Sequence, residues 1–81
     1  MDDNTKKEIQ SATYERLINH LSKRNDVQNI DLMNLAGFCR NCLSRWLYEE
    51  SARKGIPIKK EEAEEQVYGM PKAEWKQKYQ K

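Results

Sequence analysis

Residues 27–47 read VQNIDLMNLAGFCRNCLSRWL, and this stretch decides the fold. Twelve of its 21 residues are apolar, whereas the chain as a whole is 37% apolar and 35% charged. From Phe38 onward the apolar side chains recur at the spacing of one face of a helix. No segment alternates apolar and polar residues in the manner of a half-buried strand. The pattern predicts an all-α fold, a compact bundle with a buried central helix.

Gly37 decides whether that central helix is continuous. Leu32 and Leu35, before the glycine, are in phase with the apolar face that follows it, which favours one helix from about Asp31. An interior glycine costs a helix about 1 kcal/mol relative to alanine, which favours a break. A continuous helix as far as Lys54 would also be about 36 Å long, more than a compact chain of this size accommodates. We therefore expect a break or kink at Gly37.

The remaining helices are marked by capping and helix-breaking residues. Thr5 and Glu8 have the spacing of a capping box, which predicts that the first helix starts at Thr5. Glycine and proline interrupt the second half of the chain at Gly55, Pro57, Gly69 and Pro71. They predict a helix over about 60–68 and a short last helix after it. We therefore expect four to five helices in a single domain of residues 1–81.

Composition excludes several classes of protein. The net charge of +2 is too small to indicate a nucleic-acid-binding surface, and no apolar run approaches the roughly 20 residues that span a bilayer. The first four residues are acidic and polar, unlike a secretory signal, and two cysteines do not make a disulfide-stapled scaffold. We therefore expect a cytoplasmic protein that binds neither membranes nor nucleic acids.

Cys39 and Cys42 form the one motif whose side chains could carry out redox chemistry or bind a metal. Three interpretations of the motif are open. A redox pair needs a helix N-terminus to favour the thiolate, and in the thioredoxin type also a preceding strand, which the sequence lacks. A structural metal site needs four ligands, so the pair would require His20 with an acidic residue, or the cysteines of a second chain. Free cysteine also packs as a small apolar residue, which is the simplest interpretation. No catalytic residue and no cofactor is indicated.

Polar residues are unusually dense beside the central apolar run. Such groups must find hydrogen-bond partners or face a surface. Pairing within the chain, with Asp26, Asp31 or Glu49, is one explanation for the arginines. The other is a surface for a second copy or a protein partner, because arginine is enriched at interface anchors. The candidate surface residues are Asp31, Asn34, Arg40, Asn41 and Arg45. We favour a non-enzymatic helical interaction module, with a thiol-dependent redox or metal role as the alternative.

Two segments carry a resemblance to a known family. The run DVQNIDLMNLAGFCRNCL at residues 26–43 and the run VYGMP at 67–71, followed by Glu74 and Trp75, resemble a family of short bacterial proteins. That family is catalogued as a domain of unknown function, and the resemblance extends along nearly the whole chain. It implies a small, largely helical, cytoplasmic protein and implies no activity.

Overall fold

Five helices follow one another along the chain in a computed structural model that describes all residues, 1–81. They are α1 (Asp3–Ser22), α2 (Asn29–Ala36), α3 (Arg40–Arg53), α4 (Lys60–Tyr68) and α5 (Lys72–Tyr79). There is no strand. The all-α prediction with four to five helices is therefore confirmed.

The central helix is broken at Gly37, as the glycine penalty predicts. Gly37 has a φ of 76°, in the left-handed region, and its N–H donates to the Met33 carbonyl at 3.0 Å. This conformation is characteristic of a glycine that ends a helix. The chain then turns, and α3 begins three residues later at Arg40. The apolar run thus folds as two helices, which lets α2 lie at an angle to α3.

The first helix starts earlier than its capping box predicts, so the assignment of Thr5 as the cap was wrong. Asp2 is the N-cap, and its Oδ1 accepts a hydrogen bond from the Thr5 N–H at 2.7 Å. This bond lowers the pKa of the Asp2 carboxyl. The earlier start is favoured because it places two carboxylates, Asp2 and Asp3, at the positive end of the helix dipole.

The hydrophobic core joins α1, α3, α4 and α5. It consists of Leu21, Leu43, Val67, Tyr68 and Trp75. Helices α3 and α4 form an antiparallel pair, because Asn41 contacts Tyr68 at one end and Ser51 contacts Ile58 at the other. Trp75 is fully buried, which docks α5 on the body of the molecule.

The stretch 27–47 is buried less completely than its composition predicts. Its buried residues are Cys39, Arg40, Leu43 and Ser44, and all lie at or after the start of α3. α2 contributes no buried residue. Large apolar side chains of this stretch remain exposed instead: Ile30, Met33, Leu35 and Trp46. The rest of the core comes from Leu21 of α1 and from the C-terminal helices α4 and α5.

Helix α1 extends beyond the body of the molecule. Residues 1–13 are all exposed, and the first α1 side chain that is half-buried is Tyr14. The 20-residue helix is about 30 Å long, and the molecule measures 44 × 25 × 20 Å. Only the last turns of α1 therefore pack, chiefly through Leu21. None of the helices combines the length and apolar character needed to cross a membrane.

Candidate functional site

Arg40 is buried at the junction of three segments. It is 1% exposed, and its Nη1 donates to the Val27 carbonyl at 2.8 Å and to Asn29 Oδ1 at 3.0 Å. Its Nη2 donates to the Arg24 carbonyl at 2.9 Å. The guanidinium carbon lies 4.7 Å from the centre of the Trp75 ring, in cation–π contact. Arg40 therefore holds the connection between α1 and α2 against α5.

The assignment of Arg40 to an interaction surface was therefore wrong. A side chain that is 1% exposed in the folded chain cannot meet a partner. Its expected carboxylate partners were wrong as well, since Asp26 pairs with Arg24 instead, at 3.1 Å. Burial lowers the pKa of Arg40. Main-chain carbonyls take the place of a counter-ion because the turn at residues 24–27 directs them at the guanidinium.

A polar network surrounds Arg40 and uses the asparagines of the central run. Trp75 Nε1 donates to Asn25 Oδ1 at 2.9 Å, and Asn29 Nδ2 donates to the Tyr68 hydroxyl at 3.1 Å. That hydroxyl donates in turn to Asn41 Oδ1 at 2.5 Å. Burial raises the pKa of Tyr68, so its proton stays in place for this bond. Asn41, predicted as a surface residue, is exposed but has its side-chain oxygen engaged within the chain.

An apolar patch lies where α2 meets α3, and one of its members, Phe38, also packs against the core. We define the apolar patch as Ile30, Met33, Phe38, Cys42 and Trp46. Met33 Sδ is 3.8 Å from Cys42 Sγ, and the rings of Phe38 and Trp46 have centroids 6.1 Å apart. Ile30 is 65% exposed and Trp46 is 45% exposed. Sequence reasoning missed this patch, because the helical spacing from Phe38 onward predicted one buried face, on which Trp46 instead remains exposed.

The other predicted surface residues lie in two places. Asp31 and Asn34 are exposed on α2, and Asn34 is one helical turn after Ile30, at the edge of the apolar patch. Arg45 lies on the other side of α3, in a groove of about 440 Å³ that also contains Asn41. The groove is lined mainly by charged residues, among them Lys72 and Glu64, whose charged atoms are 3.9 Å apart. The five predicted residues therefore do not form one surface.

Cys39 and Cys42 lie side by side at the start of α3. Cys39 is the N-cap residue, is 5% exposed and makes no side-chain capping bond, while Cys42 is half-buried. Their Sγ atoms are 4.0 Å apart. The break at Gly37 supplies the helix N-terminus that a redox pair needs, but no strand precedes it. The other predicted ligand, His20, is exposed on α1, and no three His, Cys, Asp or Glu side chains converge as a metal site.

The comparisons with known proteins concern the segment that contains these features. No match was found among curated proteins. A family model matches residues 27–81, so it includes the apolar patch, the thiol pair and Arg40, and it leaves α1 outside. The family model matches a shorter part of the chain than the sequence motifs suggested, since they indicated a resemblance along nearly the whole chain. The chain belongs to the family described as a protein of unknown function, DUF1244.

Proposed function

We propose that the protein is a non-enzymatic helical interaction module whose apolar patch binds a second copy of the chain. The observation that carries this proposal is the exposure of large apolar side chains on both helices of the patch, including Ile30 and Trp46. Aromatic residues and methionine are the types enriched at the centres of protein interfaces. The patch supplies both, through Met33, Phe38 and Trp46.

A second copy of the chain is the partner we propose, because an apolar patch is complementary to a copy of itself. A two-fold symmetric dimer buries the same surface on both chains, so one patch would cover the other. A stable interface needs about 800 Å² from each partner. The five patch residues would form its apolar centre, and Asp31 and Asn34 would extend it as a polar rim. With nine of 81 residues buried, the chain also has a small core, which association would supplement.

Sedimentation velocity on two matched variants tests the proposal. Trp46 and Tyr48 are 45% and 41% exposed, and two residues of separation place them about 200° apart around α3. We expect the wild type to associate at low micromolar concentration, Trp46→Lys to be monomeric and Tyr48→Lys to associate like the wild type. A wild type that is monomeric throughout, or association lost equally in both variants, would contradict the proposal.

A thiol-dependent redox role is the second candidate, and the 4.0 Å separation of the two Sγ atoms favours it. In this role Cys39 and Cys42 would each lose a proton and together give two electrons to an oxidised low-molecular-weight disulfide. An S–S bond would form between the cysteines, and the small disulfide would leave as two thiols. Thiol titration against pH tests it. Two thiols that are unreactive at pH 8 would remove this role.

The proposal includes a bacterial cytoplasmic location. A reducing compartment keeps a close pair such as Cys39 and Cys42 in the thiol form from which the redox role starts. Cell fractionation with antibody detection tests the location. Recovery in a membrane or exported fraction would contradict it.

A further inference from the structure

Three sulfur atoms lie together at the junction of α2 and α3. Cys42 Sγ is 4.0 Å from Cys39 Sγ and 3.8 Å from Met33 Sδ. The break at Gly37 brings the methionine of one helix against the first turn of the next. From this arrangement we infer that Met33, Cys39 and Cys42 form a three-sulfur binding site for a soft monovalent metal ion of the Cu(I) type.

The spacing of the sulfur atoms fits a single metal ion between them. A metal–sulfur bond is about 2.3 Å long, so the sulfurs of a trigonal site lie about 4.0 Å apart. The two separations that involve Cys42, 4.0 and 3.8 Å, match this value. Closing the third edge of the triangle, between Met33 and Cys39, falls to the Met33 side chain, which is 41% exposed and has three rotatable bonds.

The chemistry of the ligands selects the class of metal. Thiolate and thioether sulfur are soft ligands, and a set of cysteine and methionine favours Cu(I). A structural zinc site takes four ligands, normally from cysteine and histidine. Within one chain the thiol pair has no such additional ligands, because no third His, Cys, Asp or Glu side chain joins it. Met33 is therefore the residue that distinguishes this site from an incomplete zinc site.

The start of α3 suits the charge that the bound state would carry. Binding of one Cu(I) ion releases the two thiol protons to solvent, so the complex carries one negative charge. The N-terminus of a helix has free N–H groups and a partial positive charge, which stabilise an anion there. Cys39 is the N-cap of α3 and no side chain caps this end, so its N–H groups are available to the thiolate.

The site is accessible from the apolar patch and closed on its inner side. Met33 is 41% exposed and Cys42 is half-buried, whereas Cys39 is 5% exposed. An ion would therefore enter from the patch and bind against the buried thiol. The site needs no second chain, so this inference goes beyond the interaction role and does not depend on it.

Anaerobic competition for Cu(I) against a chromogenic chelator, with the fully reduced protein, tests the site. The informative variant is Met33→Leu, which removes the sulfur and keeps an apolar side chain of similar size. The matched control is Met70→Leu, because Met70 packs against the core elsewhere. Outer-shell changes alone cost metal sites roughly 10–100-fold in affinity, so loss of a ligand in Met33→Leu should cost at least about tenfold.

We expect one Cu(I) per chain, weaker binding by Met33→Leu, unchanged binding by Met70→Leu and no competitive binding by Cys42→Ser. X-ray absorption should count three sulfur neighbours in the wild type and two in Met33→Leu. The monomeric Trp46→Lys variant should bind at least as tightly as the wild type, because its patch stays open to the ion, and this result separates the site from the dimer proposal. Equal affinity of Met33→Leu and wild type, one ion per two chains, or no retention against the chelator would overturn the inference.

Discussion

Arg40 joins the connection between α1 and α2 to α5, alongside Gln28, whose side chain bonds to the main chain of Tyr79 and Lys81. Its guanidinium binds carbonyls of the connection before α2 and lies against Trp75 of α5. Breaking a buried charged network costs several kcal/mol because the remaining polar groups lose their partners. The stability of this small chain therefore depends on a polar cluster as well as on its apolar core.

Replacement of Arg40 by methionine tests this dependence. Arg40→Met keeps the length of the side chain but leaves the Val27 carbonyl without its donor, and the Arg24 carbonyl keeps only the bond from the Val27 N–H. We therefore expect a loss of about 3 kcal/mol. The control is Arg45→Met, at an exposed position, which should change stability by less than about 0.5 kcal/mol. Urea unfolding followed by circular dichroism measures both. Equal midpoints for the two variants would contradict the role of Arg40.

Tyr68 predicts a specific pH dependence of stability. Burial raises its pKa above the ordinary value of 10.0, so the unfolded chain loses this proton at a lower pH than the folded chain. The stability that Tyr68 contributes is therefore present below pH 10 and is lost as the pH rises above it. Tyr68→Phe lacks this ionisation, but it loses the hydrogen bonds to Asn29 and Asn41, about 1–2 kcal/mol. Urea unfolding measures the free energy of unfolding of both proteins at each pH. The advantage of the wild type over Tyr68→Phe should shrink above pH 10, and a constant advantage would argue against the shifted pKa.

The role of Arg40 could not be predicted from the sequence. The dense polar residues of the central run indicated that partners were needed, and Asp26 and Glu49 were the obvious carboxylates. The actual acceptors are main-chain carbonyls, which every residue carries, and only the tertiary path of the connection directs them at Arg40. Helical phase did not predict exposure in α2 either, because Leu35, which is in phase with the apolar face after Gly37, is 88% exposed and Ile30 is 65% exposed.

At the scale of the helices, the sign of the stability change in Gly37→Ala distinguishes a broken central helix from a continuous one. A Cβ at this position meets no atom within 4 Å, but the φ of 76° is unfavourable for any other L-residue. Gly37→Ala should therefore destabilise the protein by about 1 kcal/mol. In a continuous helix the same change would stabilise by about as much. Urea unfolding of Gly37→Ala decides between the two, and a stabilised variant would contradict the break.

The sequence predicted the ends of a helix correctly where a single capping or helix-breaking residue marked each end. Lys60 and Tyr68 bound α4 as expected, because Gly69 provides an unambiguous left-handed end with a φ of 76°. The start of α1 was misplaced because two capping signals compete there. Thr5 and Glu8 have the spacing of a capping box, but it is Asp2 that caps the helix, by accepting from the Thr5 N–H. The acidic start is favoured because it complements the helix dipole.

At the scale of the whole molecule, α1 divides into a packed end and a projecting end. Residues 1–13 are exposed, while Leu21 is part of the core. Deletion of residues 2–11 should lower the helix signal and change stability by less than about 0.5 kcal/mol, because it removes no buried contact. Leu21→Ala, as the contrast, should cost about 2–4 kcal/mol.

Urea unfolding followed by circular dichroism measures both changes. It should show one cooperative transition, as expected for a single domain of residues 1–81. A destabilised deletion variant would mean that the projecting turns of α1 pack in solution.

The two tryptophans allow the interaction surface to be located directly. Trp46 is in the apolar patch and is 45% exposed, whereas Trp75 is buried and its indole N–H donates to Asn25. Burial of the patch against a second copy would change the surroundings of the Trp46 indole and leave those of Trp75 as they are. Each indole N–H gives its own signal in a two-dimensional nitrogen–proton NMR spectrum, so Trp75 serves as an internal control.

The most direct test of the interaction role is therefore a dilution series of the wild-type protein, followed by these two indole signals from high to low micromolar concentration. We predict that the Trp46 signal moves progressively on dilution and that the Trp75 signal does not. A Trp46 signal that stays fixed over the whole range, in a protein that is otherwise folded, would contradict self-association through the apolar patch.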